Sequence, residues 1–291
     1  MTYASFRRAR RGAALAALSI LVLAASGCNK LKARDLLNKG VTAFKAGQSD
    51  TAIENFKRAK ELDPTLMNAR LYLATAYASS YIPGAPSPEN KARGEQAIAE
   101  FKEVLSIDPN NLTAIDGIGS LLFQMAGTPP VSAQGFLDSK EFHEKHIQIR
   151  PEDPEPYYWI GVIDWTLAFR DNGELRLDYN KANLKKQVKQ DDPLPPAVRT
   201  QFAAKDTQLI DEGIADLQKA ISIKSDYDDA MAYLNLMYRE KGDVECDDLA
   251  AREEDLKTAD HWVDETLRVK KAKAEKAAQS AQGGITLDQS K

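Results

Sequence analysis

An all-α protein built from about five copies of one two-helix unit is what this sequence predicts, and three observations carry the prediction. The phrase "NFKRAKELDPTL" ending at Leu66 returns as "EFKEVLSIDPNN" ending at Asn111, aligning Phe56 with Phe101, Ala59 with Val104 and Pro64 with Pro109. Sixteen Gly and 13 Pro in 291 residues leave room for long helices, and the abundance of Ala, Leu, Lys, Glu and Gln favours them. The order small, then large, then stop recurs: Ala52, Ala97, Ser139 and Gly213 each precede Phe56, Phe101, His143 and Leu217 by four residues. Pro64, Pro109, Pro151 and Ser225 follow eight residues later.

The chain opens on "MTYASFRRARRGAALAALSILVLAASGCNK". A basic stretch precedes an apolar run from Ala13 to Ala25, shorter than the roughly 20 residues a bilayer span needs, so 1–27 reads as a secretory signal. Ala25-Ser26-Gly27-Cys28 resembles the lipobox of bacterial lipoproteins, with Ala25 where Leu is usual. The resemblance implies cleavage before Cys28 and lipid on its sulfur. Cys246 then has no partner for an intramolecular disulfide. Residues 28–32 are the expected lipidated cysteine and short tether. Asn29, by similarity to enterobacterial sorting, favours the outer membrane with the body facing the periplasm. Without Arg7, Arg8, Arg10 and Arg11, 35 basic residues face 43 acidic ones, a balance of −8 that gives no reason to expect nucleic acid.

The first unit, about Ala33 to Leu66, places Leu36 and Gly40 in its first helix, Gly47 at the turn, and Ala52, Phe56 and Ala59 in its second. Small Gly40 and Ala52 allow close approach, Phe56 fills the space between hairpins, and Pro64 stops the helix because it has no N–H. Six residues after each stop comes the first large position of the next unit: Arg70, Ile115, Tyr157 and Met231. Leu73, Ala74 and Tyr77 follow in the second unit, Ile118, Gly119 and Leu122 in the third, Ile160, Gly161 and Asp164 in the fourth, and Leu234, Asn235 and Tyr238 in the fifth. These residues resemble the tetratricopeptide (TPR) repeat, a helix–turn–helix motif of about 34 residues. The resemblance implies a TPR-like α-solenoid over 33–267, with Lys39 and Ala43 departing from the pattern.

The stops lie 45, 42 and 74 residues apart. The excess is expected as insertions near 79–94, 126–135 and 168–208, the first two rich in Pro, Gly and Ser. A long helix is expected from about Asp192-Pro193-Leu194-Pro195-Pro196 to Lys224. "CDDLAAREEDLKTADHWVDETLRVKKAKAEKAA" reads as a long C-terminal helix capping the stack, with Leu249, Leu256, Ala259, Trp262, Val263 and Leu267 on its apolar side. Residues 268–291 are a polar helix end and a disordered tail, "QGGITLDQSK".

Chemistry is sparse. His143 and His146, three apart in "EFHEKH", fall one residue short of the zinc-protease spacing and occupy the positions of Phe56 and Ala59. Packing explains them, with a metal site using Asp138 or Glu141 as the remote alternative. No phosphate loop or serine elbow is present, Cys246 sits in acidic "VECDD", and Asp171 with Glu174, or Asp191 with Asp192, read as solvated acids. No catalytic residue, metal or cofactor is expected. By the resemblance, first helices line an inner groove; Phe44, Leu71, Phe123, Tyr158, Val162 and Trp165 are the expected partner-binding positions. Leu37 and Val41 stand where chaperone-binding TPR proteins carry the Lys and Asn that clamp a terminal carboxylate, which disfavours that ligand. The expected function is a membrane-anchored scaffold for another envelope protein or peptide, without catalysis. The alternatives are a periplasmic small-molecule or peptidoglycan-fragment binder with 168–208 closing over the groove, and a metal-dependent hydrolase using His143 and His146.

Overall fold

A computed structural model of the chain describes residues 28–285, except 191, 246 and 247, with side chains as far as residue 280. Residues 1–27, expected to be a secretory signal, Cys246 and the last six residues lie outside it. Ten helices and no strand occur among the described residues. They are α1 (28–45), α2 (Ser49–Leu62), α3 (Met67–Ser80), α4 (Pro88–Ile107), α5 (Leu112–Ala126), α6 (Ala133–Ile149), α7 (Pro154–Ala182), α8 (Pro196–Ile223), α9 (Asp228–Val244) and α10 (Leu249–Ile285). The fold is the TPR-like α-solenoid that the repeats predict, closed by a long C-terminal helix.

Two compact units divide the chain at Val131/Ser132, inside the third repeat rather than between repeats. In the first unit, α2 packs on α3, α3 on α4 and α4 on α5, and α3 also touches α5. In the second, α6 to α10 pack in sequence and α7 touches α9. Contact between alternate helices is the mark of hairpins stacked side by side.

Each repeated position has a physical reason in these units. The large residue of every second helix is buried: Phe56, Phe101, His143 and Leu217 are at most 2% exposed. The small residues four earlier, Ala52, Ala97, Ser139 and Gly213, are buried as well. A Cβ on Gly40 would lie 2.4 Å from Phe56 Cε1, and one on Gly161 would lie 2.4 Å from Leu217 Cγ. The same glycine-to-large-residue contact therefore holds the first and the fourth hairpins together. Gly47 turns the chain between α1 and α2 with φ +73°, a conformation that glycine adopts without a Cβ penalty.

The stop is a recurring geometry. Asp63, Asp108, Arg150 and Lys224 donate their backbone N–H groups to Ala59, Val104, His146 and Ala220 at 2.8–3.0 Å. Their own carbonyls then accept from the N–H groups of Leu66, Asn111, Asp153 and Tyr227. φ and ψ at the four residues fall between −127° and −140° and between 78° and 91°, outside the helical region that a following proline disfavours. Ser225 makes the turn without one.

Much of the excess length is helix, not loop. Within the three expected insertions the irregular residues, among those described, are 81–87, 127–132 and 183–195. Ser87 accepts from the Asn90 N–H with Pro88 in the first turn, so α4 begins six residues before Gly94, where the expected insertion ends. Ser132 caps α6 through the Gly135 N–H in the same way. Most of 168–208 lengthens α7 and α8, and the start of α8 at Pro196 agrees with the proline run. Two further differences concern the ends. Residues 28–32, expected as a short tether, are the first turn of α1, and α10 continues to Ile285, four residues into the segment expected to be disordered. Ala, Lys, Glu and Gln dominate the stretch before it and sustain the helix.

Candidate interaction site

Helix α7 carries the most informative surface. Its residues Tyr158, Trp165 and Phe169 recur at seven and four, so they share one face. Tyr233 on α9 and Tyr227 just before it meet that face. Ring centroids run Tyr227–Tyr158 5.1 Å, Tyr158–Tyr233 5.8 Å, Tyr233–Trp165 5.3 Å and Trp165–Phe169 5.0 Å. Edge-to-face contact joins Tyr233 to both Tyr158 and Trp165, whereas Trp165 and Phe169 stack at 22°. Five rings thus form a continuous file, four half-buried and Phe169 exposed at 39%. Burial, with Tyr233 and Asp229 close by, pushes the Tyr158 phenol well above its ordinary value, and burial with Asp229 raises that of Tyr233.

The file leads into a cleft of about 540 Å³ between the C-terminal half of α7, α9 and the start of α10. Trp165, Phe169 and Leu177 line it from α7, Leu236 and Glu240 from α9, and Leu256 from α10, while Val188 and Gln190 close one side. The 183–195 segment is fixed there. Asn180 exchanges two hydrogen bonds with the backbone of Val188, and Arg176 Nη1 donates to the carbonyls of Lys189 and Asp192 at 2.7 and 2.9 Å. The remaining donors of Arg176 go to Asn172 Oδ1 at 2.8 Å and Asp243 Oδ2 at 2.5 Å. Asn172 Nδ2 in turn donates to Glu240 Oε2 at 2.7 Å and to Asp243. Burial first, then Asp243, lift the Glu240 carboxyl to about 7. Behind it Asp206, 1% exposed, is lifted to about 7 by burial and by Asp171, which pairs with Lys205.

The predicted groove positions divide between the units. Phe44 on α1, Leu71 on α3 and Phe123 on α5 are half-buried in the first unit. Tyr158 and Trp165 belong to the aromatic file of the second. Val162 offers a partner no surface: it is 2% exposed and packed in the core, although its spacing puts it on the α7 face of Tyr158 and Trp165. Phe169, Tyr227, Tyr233, Asn172, Arg176, Glu240 and Asp243 were not anticipated. The spacing of Trp165, Phe169, Asn172 and Arg176 on one helix was a usable signal; the 67- to 75-residue separation between the α7 and α9 partners left none.

The histidine alternative fails on geometry. His143 and His146 are 2% and 4% exposed. The His143 ring stacks on Trp159 with centroids 6.0 Å apart, and burial drives its pKa down to about 4. His146 Nε2 lies 3.5 Å from Asp153. Among the described residues no three His, Cys, Asp or Glu side chains converge as metal ligands, and Asp138 and Glu141 do not complete such a set.

Comparison with known proteins agrees with this architecture. Residues 36–66, the first hairpin, match the tetratricopeptide repeat family. The chain has a TPR fold. A crystal structure of MamA aligns over 84% of this chain and 94% of its own at 17% identity and TM-score 0.54. MamA from Desulfovibrio magneticus RS-1 covers 83% and 96%, with 16% identity and TM-score 0.52. No curated protein sequence matches.

Proposed function

We propose that the chain is a non-catalytic TPR scaffold, tied to a bacterial envelope membrane by lipid on Cys28, that holds an extended segment or helix of another envelope protein. The file of Tyr227, Tyr158, Tyr233, Trp165 and Phe169 carries this reading. Half-exposed aromatic rings on a rigid two-helix support are the side chains that dominate interface energetics, since they bury large area at small entropic cost. Cys28 is exposed at the start of α1, accessible to the modification that the lipobox resemblance implies. The membrane face and the outer-membrane assignment follow from that resemblance and from Asn29. Among the described residues no helix is long and apolar enough to cross a membrane, so in this reading attachment falls to the acyl chains.

Crosslinking in native membranes tests the scaffold. Wild-type chain should give a reproducible protein partner, and Tyr158→Ala and Phe169→Ala should lose it while keeping the helical circular-dichroism signal. If both variants keep every partner, the aromatic file is not the interface. The cleft beside the file gives the small-molecule reading a location, and absence of any reproducible crosslink would favour it.

A further inference from the structure

Charge is distributed unevenly along the chain. Residues 28–66 carry eight Lys and Arg against five Asp and Glu, whereas residues 67–291 carry 27 against 38. A basic module at one end of an acidic chain points to an anionic surface as its partner. Most of the excess lies on α1, where Lys30, Lys32, Arg34, Lys39 and Lys45 stand against Asp35 alone. Ala33, Leu36, Leu37, Gly40 and Ala43 form the buried side of this helix. By helical geometry Cys28, Leu31, Asp35, Asn38 and Thr42 fall in the opposite stripe, and all five are exposed. Lys30, Arg34 and Lys45 run along one edge of that stripe, and Lys32 and Lys39 along the other. Leu31 stands within it at 73% exposure.

The five acids of the hairpin do not cancel this face. Asp35 pairs with Lys39 at 2.8 Å, and Asp50 with Arg93 at 3.0 Å. Asp63 lies near Lys30 and Arg34, but it is 7% exposed and accepts from the hydroxyl and N–H of Thr65. Thr51 and Asn55 of α2 border α1 across a shallow groove, and Arg58 continues their row. Glu54 and Glu61 lie about a quarter-turn further round α2. Lys30, Lys32, Arg34 and Lys45 make no ion pair among the described residues.

We propose that the outer face of α1 lies on a bilayer and binds anionic phospholipid headgroups through Lys30, Lys32, Arg34 and Lys45, with Leu31 reaching the acyl boundary. The inference rests on the Cys28 attachment proposed above and says how the attached chain meets the membrane. Cys28 decides for lipid over an acidic protein. It lies in the same stripe one turn before Leu31, so acyl chains on its sulfur leave from within the basic face and hold that face to the headgroups. Lys and Arg near a charged bilayer each add about fivefold to partitioning, so the face reinforces the covalent anchor.

Residues 28–291 carrying Cys28→Ser, which removes the acylation site, are sedimented with vesicles of phosphatidylcholine alone or mixed equally with phosphatidylglycerol. The mixed vesicles should bind at least about tenfold more tightly. The preference should vanish in about 0.5 M salt, where the screening length falls to about 4 Å. Lys30→Gln, Lys32→Gln and Arg34→Gln together should remove the preference while the helical circular-dichroism signal is kept, because all three side chains are exposed. Lys270→Gln, Lys271→Gln and Lys276→Gln at the end of α10 should leave it unchanged. Equal binding to the two vesicles, a preference that survives the α1 substitutions, or one lost with the α10 substitutions overturns the proposed surface. Polyglutamate bound as tightly as the mixed vesicles would make the face a dock for an acidic protein and overturn the lipid assignment. No acyl chain takes part in this assay, so its failure leaves attachment at Cys28 standing; that attachment is read separately, by palmitate-analogue labelling of the wild-type chain.

Discussion

Gly161 and Glu240 show two ways in which a single residue matters here. A methyl group on Gly161 would meet the fully buried Leu217 at 2.4 Å from its branch carbon. Gly161→Ala gains up to about 1 kcal/mol of helix propensity but must displace Leu217, so a net loss of about 1–2 kcal/mol is expected. Chemical denaturation of the variant measures it, and an unchanged midpoint would show that α7 and α8 approach less closely than the structure has them. Glu240 acts through protons. Its folded pKa of about 7 lies above its ordinary value of 4.5, so the folded chain binds its proton more tightly than the unfolded chain does. That contribution is complete below about pH 4.5 and disappears as pH rises through about 7, a decline of about 1–3 kcal/mol for this group. Asp206 adds a decline of the same sign. Denaturation across this range should show stability falling with pH, and Glu240→Gln should flatten the fall. A slope unaltered by the substitution would place the titration elsewhere. The glycine was legible in the sequence as part of a repeated pattern, whereas the carboxyl shift was not, because it depends on burial by α7 and α8.

Helices begin and end here for reasons that repeat. Four second helices stop on one hydrogen-bond pattern, and three of the four use proline. Ser225 occupies the same place, preceded by Lys224 already at φ −127° and ψ 91°, and its N–H makes no backbone hydrogen bond among those of the turn. Ser225→Pro should therefore stabilise the chain by about 0.4–1 kcal/mol, through a stiffer unfolded state. A fall in melting temperature would mean that this turn differs from its three relatives. Element lengths were harder to read. "SSYIPGAPSPENKARG" looks like a loop by composition, yet only 81–87 is irregular: Ser87 and Pro88 are an N-terminal cap and a first-turn proline, and 88–94 is helix. Composition alone cannot separate a polar loop from an exposed first turn; the cap geometry does. The same ambiguity turned most of 168–208 into extensions of α7 and α8.

For the molecule as a whole, the first turn of α1 begins at Cys28, so no extended spacer lies between that cysteine and the helical body. If lipid is attached there, the body sits against the bilayer surface. Cys28→Ser should then move the protein from the membrane fraction to the soluble one and abolish labelling with a clickable palmitate analogue. Labelling that persists in Cys28→Ser would place the lipid on another residue and remove the anchor from this reading. Packing must supply the stability of the described body, since Cys28 is a free, exposed cysteine.

The order of small, large and stopping residues was enough to specify stacked two-helix units, because each of those residue types answers to a local requirement: close approach, space filling, or loss of an N–H donor. Trp165 and Tyr158 could be assigned to a first helix for the same reason. What the chain order does not encode is which rings and charges from separate helices meet. Tyr233 closing the aromatic file, Arg176 pinning the segment before α8, and Glu240 buried against Asn172 arise only when α7 packs against α8 and α9, since desolvation and contact are properties of the assembled helices and not of any segment alone.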